Sequence, residues 1–575
     1  MITSYLVGNS KDKEFLYRLP GGQLSYGSLY KDGELVQMHL NSGFGFLTCG
    51  NKIIYVVRTE LHDDKVSICE LSTRQFLSSN PRFKDRSGYT NFNREQVSTW
   101  ELFETSQQIE SPPWLDFYFS ILKTGSLQDV FDRIKTGEAV DIPFLSYILN
   151  IHNNAHLDHI IRDNISNEDF LKGILKLANG NYLITPLVTE LTRTHILDKP
   201  RFIGVDRDIY GRGVDLRNPW LILNSAIRRN INKTGKACIV ATARNEGIYI
   251  VEWVAYHLAL GFEKIFIYSN NNQDGSLSLL RALHTHGHIE LIESDVGSGG
   301  NAQVKAYTHS LLANSSVNQF EWCAFIDVDE FITFETSKFA NLADYLTWAG
   351  ATGAQVIALS WILAANTIHS KSWLDEPITG RIRRTSPFQS NLIKCIVRPE
   401  SAAFSGPHYP IATNGCALSI VNAERQRYYY ESLENPADIT RAIAPTFKNA
   451  HLFHYELKSF PELIWKYSRN RGNYSAITED IHLNDHFMDR IAHFRKCLDN
   501  GQAELIKLAV DAETIKSKTA ALLAQKEICD AQNQVKALTL ERYKKLVEFL
   551  PLFLEKVPSE DRLNRSKQWI FENFL

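Results

Sequence analysis

The spacing of apolar residues changes character along this chain, and each change predicts a different kind of element. From Met1 to about Leu77, short runs rich in Tyr, Val, Ile and Leu are broken at Gly21-Gly22, Lys31-Asp32-Gly33 and Gly50-Asn51. These are turn signals at hairpin spacing, and they predict a β-rich module over residues 1–96. Between Thr99 and Leu197 the apolar residues recur every three or four positions, as in 114–122 and 170–177, which predicts a helical module over 97–203. Residues 204–235 open on a weakly periodic stretch rich in Gly, Asp and Arg and read as a linker.

A third pattern begins at Lys236. A continuous apolar run to Arg244 predicts a strand. Glu246 to Leu260 predicts a helix, with Trp253, Tyr256, His257 and Leu260 at helical spacing. A strand at Lys264–Ser269, a turn at 270–275, a helix at Ser276–Thr285 and a strand at Ile289–Glu293 follow. This alternation predicts an α/β domain over 236–475 built on a Rossmann-like, mostly parallel sheet, whose ligands gather at the carboxyl ends of the strands. Residues 476–575 read as a C-terminal helical region. Asp511–Val557 has the Ala- and Leu-rich amphipathic spacing of long helices, and Trp569–Leu575 is an amphipathic end that either packs on the protein or touches a membrane or a partner.

Composition narrows the class. The chain has 575 residues, 44% hydrophobic and 22% charged, the balance of a globular protein too long for one core. A net charge of −3 gives no electrostatic footprint for nucleic acid. The eight cysteines, Cys49, Cys69, Cys238, Cys323, Cys395, Cys416, Cys497 and Cys529, form no Cys-x-x-Cys pair, and two sit inside apolar runs. They read as reduced thiols, not as a disulfide or zinc framework. With no basic-then-apolar leader and no window of ~18 apolar residues, the expectation is a cytoplasmic protein, with any membrane contact peripheral and through the C-terminal helices.

Candidate chemistry is concentrated where the apolar run Ala324-Phe325-Ile326 meets Asp327-Val328-Asp329-Glu330. An Asp-x-Asp at a strand end aims two carboxylates at a hard divalent cation and the phosphate it carries. Upstream, Ala243-Arg244-Asn245-Glu246-Gly247 places a cation, an amide and a carboxylate before a helix N-terminus, where backbone N–H groups favour an anionic ligand. The loop 269–276 is crowded with residues that bond their own backbone, so Asp274 and Ser276 are candidates for a ligand contact or for a helix cap.

In order and spacing, Ala243-Arg244-Asn245-Glu246, then 252–261, then Tyr268 with Asn270-Asn271 and Asp274-Gly275-Ser276, then Asp327-Val328-Asp329-Glu330-Phe331 resemble a GT-A fold glycosyltransferase of the family 2 and family 92 group. The resemblance covers roughly residues 237–474. It implies that Ala243, Arg244, Glu246, Asn271, Asp274 and Asp327 contact the nucleotide of a UDP-sugar donor. It further implies that Asp327 and Asp329 hold Mn²⁺ or Mg²⁺, and that Gln303 and Tyr307 line the donor pocket. The group usually has Asp where this chain has Ser269. Downstream, 451–459 resembles the group's His-Tyr-x-x-Lys-Ser segment, which makes His454 the implied third metal ligand, with His451 in reserve. Lys458, Lys466 and Arg471 are candidates to neutralise the departing diphosphate.

The same resemblance implies inverting transfer to a glycan or lipid-linked saccharide, which needs a general base. No Glu-Asp pair stands where the family presents one. Trp361 resembles the Trp that opens the acceptor segment, and Asp375, Glu376 and Glu330 are the acids left as candidates. Other readings of the motif fit less well. A phosphohydrolase of the Asp-x-Asp-x-Thr type would have Thr where Phe331 stands, and a nucleotidyltransferase would open on a Gly-rich phosphate loop. A non-catalytic scaffold that merely binds a nucleotide or metal remains an alternative.

Overall fold

A computed structural model describes residues 2–9, 14–20, 23–28, 33–63, 65–78, 91–97, 101–192, 201–204, 210, 215, 217–297, 300–368, 373–412, 418–429, 440–468, 483, 485–557 and 561–575. The expected turns at Gly21-Gly22 and Lys31-Asp32, together with Cys416 and Arg471, lie outside these residues. The chain forms two compact units, one of Met1–Thr192 with Asp215–Asn230, the other of Arg193–Val214 with Ile231–Leu575.

The first unit carries an 11-stranded antiparallel sheet followed by helices. Gly50-Asn51 turns the chain between Phe44–Cys49 and Lys52–His62, whose strands pair antiparallel. Two segments differ from the sequence reading. Leu102–Ile109, expected to be helical, is a strand paired with Thr3–Asn9 and with Lys65–Glu70, burying Phe103 in that sheet's core. Residues 219–229, expected to be linker, form a helix. Asn218 Oδ1 accepts from Trp220 N–H at its start, Pro219 occupies the first turn, and Trp220, Leu221, Leu223 and Ile227 are buried.

The second unit is built on a 10-stranded mixed sheet. Its strands are β1 (Arg201–Ile203), β2 (Gly235–Ala243), β3 (Lys264–Asn270), β4 (Glu290–Ser294), β5 (Phe320–Phe325), β6 (Glu330–Phe334), β7 (Val356–Ala364), β8 (Thr385–Val397), β9 (Ile420–Asn422) and β10 (Ala450–His454). The order is β1-β4-β3-β2-β5-β8-β7-β10-β6, with β9 beside β7. From β1 through β5 every pairing is parallel, whereas β8 runs antiparallel to both its neighbours and β6 antiparallel to β10. Helices α1 (Gly247–Leu260), α2 (Ser276–Thr285), α3 (Ala302–Leu312) and α4 (Leu342–Gly350) connect the strands.

Both faces of this sheet are covered, which explains the unbroken apolar strands. Ile239, Ala241 and Ala243 of β2 share one core with α1, while Cys238 and Val240 share another with Tyr307 and Leu311 of α3.

After β10 come α5 (Phe460–Ser468), α6 (Asp485–Asp499), α7 (Ala512–Leu523), α8 (Lys526–Lys556) and α9 (Asp561–Asn573). Expected as a separate region, the C-terminal helices belong to the second unit, because Ile515, Leu522, Ile528 and Val535 complete the core around α1. A Cβ on Gly247 would stand 2.7 Å from Val535 Cγ1, so the glycine lets α8 close over the start of α1. The amphipathic end packs inward: Ile570 is buried and the Trp569 ring lies 5.0 Å from that of Phe460. No helix among the described residues is long and apolar enough to cross a membrane. The seven described cysteines are free.

Candidate active site

Two loops at the carboxyl ends of β2 and β3 are clasped together by side chains. Asn245 N–H donates to Asn272 Oδ1 at 2.5 Å, Gln273 N–H donates to Asn245 Oδ1 at 2.6 Å, and Gly247 N–H donates to Asp274 Oδ2 at 3.2 Å. Asn245 and Asn271 hold left-handed backbone at φ 55° and 44°, a conformation that Asn tolerates better than most residues. Asp274 Oδ1 accepts from both the N–H and the Oγ of Ser276. Asp274 is therefore consumed within the loops, as the capping alternative required. Ser269, where the family has Asp, accepts through Oγ from Asn272 Nδ2 at 2.8 Å.

The carboxylate motif forms the turn between β5 and β6. Asp327 N–H donates to Glu330 Oε2 at 2.9 Å and Glu330 N–H donates to the Asp327 carbonyl at 3.0 Å, which fixes the turn from inside. Asp327 Oδ1 accepts from Gln303 Nε2 at 2.6 Å, and its Oδ2 accepts from Lys394 Nζ of β8 at 2.9 Å. Asp329 Oδ2 accepts from Lys458 Nζ at 2.9 Å and from Lys466 Nζ of α5 at 2.8 Å. Its Oδ1 lies 3.5 Å from His454 Nε2 at the end of β10. Three carboxylates thus meet three ammonium groups.

Burial sets the protonation states. It works to raise the Asp329 carboxyl, but Lys458, Lys466 and His454 together outweigh it and hold the group well below the usual carboxylate range. At Glu330 burial wins over Lys394, and the neighbouring Asp327 charge adds to it, so this carboxyl is pushed well above its ordinary value. Lys394, fully enclosed, is nevertheless raised, because Asp327 and Glu330 outweigh its desolvation. Burial lowers both Lys458 and His454 despite the attraction of Asp329, which leaves the His454 imidazole neutral near pH 7.

Above this cluster opens a cavity of about 390 Å³ lined by Ala243, Arg244, Glu246, Gln303, Asp327, Asp329, His454 and Lys466, among others. Those eight expected residues come together. Lys458 is buried behind Asp329, and Asn271 and Asp274 are not among the lining residues. Glu330 lies beneath the turn, fully buried. Asp375 is exposed and pairs with Lys536 Nζ at 3.2 Å, and Glu376 is exposed too; neither lines the cavity. His451 instead donates through Nδ1 to the Phe447 carbonyl. Tyr307 is wholly buried between sheet and helix.

Four participants escaped the sequence reading: Lys394, His408, Glu456 and Arg490. Glu456 and Arg490 line the cavity as an ion pair. Lys394 carried a legible signal, a lone lysine within the apolar run Leu392-Ile393-Lys394-Cys395-Ile396-Val397, which needs a buried partner. His408 had none.

The donor set suits a hard cation in part. Asp329 Oδ1 and neutral His454 Nε2 stand close enough to share one ion, whereas both oxygens of Asp327, expected as a ligand, are engaged by Gln303 and Lys394. Among the described residues no third His, Cys, Asp or Glu completes a site. The pair alone would hold a metal weakly, leaving most positions for phosphate oxygens and water, the usual manner of Mg²⁺ at nucleotides.

The family model of Glycosyltransferase family 92 matches residues 237–481, less than half of the chain. The resemblance read from the sequence is borne out there. A glycosyltransferase family 92 protein of Ricinus communis is 34% identical over 22% of this chain and 22% of its own length. One of Oryza sativa is 30% identical over 18% and 17% respectively. The beta-1,4-galactosyltransferase galt-1 of Caenorhabditis elegans is 28% identical over 28% of this chain and 38% of its own. The matched stretches thus span well under two thirds of these relatives.

Proposed function

We propose that the protein is a metal-dependent glycosyltransferase that moves a hexose from a UDP-sugar onto a glycan or lipid-linked saccharide. The observation that carries this reading is the Asp329–His454 pair at the floor of a cavity bounded by the two clasped loops, within the stretch that matches the family. The parallel half of the sheet supports the GT-A arrangement, since both loops and the carboxylate turn sit at carboxyl ends of adjacent strands.

Charge arithmetic supports the metal. Lys394, Lys458 and Lys466 face the charged Asp327 and Asp329, while burial pushes the Glu330 carboxyl up, so only one surplus positive charge stands against an arriving diphosphate. A divalent ion held by Asp329 and His454 would supply the missing positive charge where the leaving group departs. Around it, Lys466 lines the cavity and Gln303 and Lys394 fix Asp327 for a hydroxyl of the nucleotide or sugar. The acceptor hydroxyl would attack the anomeric carbon directly, with inversion.

Titration calorimetry with a panel of UDP-hexoses, with and without Mn²⁺, tests the reading. Binding that requires Mn²⁺ and disappears in Asp329→Ala is expected; a wild-type protein that binds none of the panel under either condition would sink it.

A further inference from the structure

Direct displacement requires a base, and the acids singled out in the sequence do not reach the cavity. The carboxylates that line it are occupied. Asp327 serves Gln303 and Lys394, Asp329 serves two lysines, Glu456 pairs with Arg490, and Glu246 is also engaged.

His408 differs from all of these. It sits in the turn of a small hairpin, Ala402–Ser405 with Pro410–Ala412, that β8 grips at two points. Its Nδ1 lies 2.8 Å from the Ile393 carbonyl, and its own carbonyl accepts from Cys395 Sγ at 3.1 Å. A carbonyl can only accept, so Nδ1 carries the proton and the lone pair belongs to Nε2. Nε2 makes no hydrogen bond to the described protein, and the ring lines the cavity. The ring meets Trp361, which also lines the cavity, edge to face at 5.2 Å, and Trp361 in turn lies 4.3 Å from the His454 ring. His408 therefore stands one indole away from the proposed metal and leaving group. It is not itself a third ligand, since no three such side chains converge.

Resting on the transferase reading above, we propose that His408 is the general base, with Nε2 accepting the hydrogen bond of the attacking hydroxyl and taking its proton. In that step the acceptor oxygen bonds to the anomeric carbon as the bond from that carbon to the diphosphate oxygen breaks. The electron pair leaves with UDP, and the proton resides on Nε2 until it is lost to solvent. Burial, helped by the Lys394 ammonium, pushes the imidazole down to about 4, against the pull of Asp327, so the ring meets its substrate in the neutral form the step needs.

Hydrolysis of a UDP-hexose, with water standing in as acceptor, tests this without knowledge of the natural one. His408→Asn keeps a donor toward the Ile393 carbonyl and deletes the Nε2 lone pair; His408→Ala deletes both. We expect unchanged UDP-hexose affinity in both variants, a fall in kcat of ~10²–10³-fold, and partial recovery of His408→Ala by added imidazole, which a merely structural residue would not show. Turnover by His408→Asn within about threefold of wild type, or a loss that imidazole does not rescue in His408→Ala, overturns the assignment. A wild-type protein that neither binds nor hydrolyses any UDP-hexose overturns the transferase reading itself, and the role of His408 with it.

Discussion

Lys458 donates to Asp329 Oδ2 at 2.9 Å from a left-handed backbone, φ 55°, a conformation a lysine rarely adopts. Strain of this kind persists where the surroundings over-determine the geometry, and here both side chains are enclosed. Lys458→Ala leaves Asp329 with Lys466 as its one ammonium partner among the described residues, beside the neutral His454. We expect a loss of about 1.5–3 kcal/mol in urea unfolding and at least tenfold weaker UDP-sugar binding. Lys458→Gly should be no less stable than the alanine variant, because it relieves the backbone.

Lys394 is the sole ammonium on the Asp327 and Glu330 side of the cluster among the described residues. Lys394→Met would leave the buried Glu330 and the half-buried Asp327 facing each other without a cation, at a cost of about 3–5 kcal/mol. Adding Glu330→Gln should return part of that stability by removing one of the two acids. A double mutant no more stable than Lys394→Met would show that Glu330 is uncharged already, an outcome that its raised pKa makes the sharper question.

The buried histidines predict acid sensitivity. His257, fully enclosed on α1, donates through Nδ1 to the Trp253 carbonyl, and burial depresses its pKa from 6.5 to about 3. The unfolded chain therefore binds a proton that the folded one refuses. The stabilisation is complete above pH 6.5 and is lost as pH falls from there toward 3. At roughly 1.4 kcal/mol per pKa unit, this one ring contributes on the order of 5 kcal/mol to the loss across that window. Urea unfolding of His257→Met across this window should give a measurably shallower dependence; an unchanged slope would rule the residue out.

Asp375→Ala and Glu376→Ala should leave turnover within about twofold of wild type, and neither should cost more than ~1 kcal/mol, the range of exposed pairs such as Asp375–Lys536. A large fall in kcat for either would restore it as a base and displace His408.

What the chain made legible follows from the range over which each signal acts. Strand and helix periodicity, the Asp-x-Asp turn and the loop capping by Asp274 are local, and the residues involved lie within a few positions of one another. The partners of the motif are distant: Lys394 is 67 positions from Asp327 and Lys466 is 137 from Asp329. Lys466 and His454 were reachable only because the family resemblance supplied the long-range pairing that periodicity cannot. Lys394 and His408 lay outside its motifs. The helix at 219–229 was missed for another reason: the Gly- and Asp-rich stretch before it dominated the reading, although Asn218-Pro219 is a good helix start.

On the proposed reading, two protein donors are too few to hold a divalent ion tightly, which would make metal and nucleotide binding interdependent. Asp329 and His454 supply one oxygen and one nitrogen, and the remaining positions need phosphate. By linkage each ligand must then raise the affinity of the other by the same factor. Mn²⁺ alone should barely move the melting temperature, UDP alone should move it little, and the two together should stabilise by about 2.7 kcal/mol at a hundredfold excess over the joint dissociation constant, a shift of several degrees. Asp329→Ala should abolish the excess over additivity, and His454→Ala should reduce it. In Asp327→Ala, where the engaged oxygens of Asp327 are the ones removed, the excess should survive even if nucleotide affinity falls. Simple additivity in the wild type, or synergy lost equally in all three variants, would mean that the ion is not held by the Asp329–His454 pair.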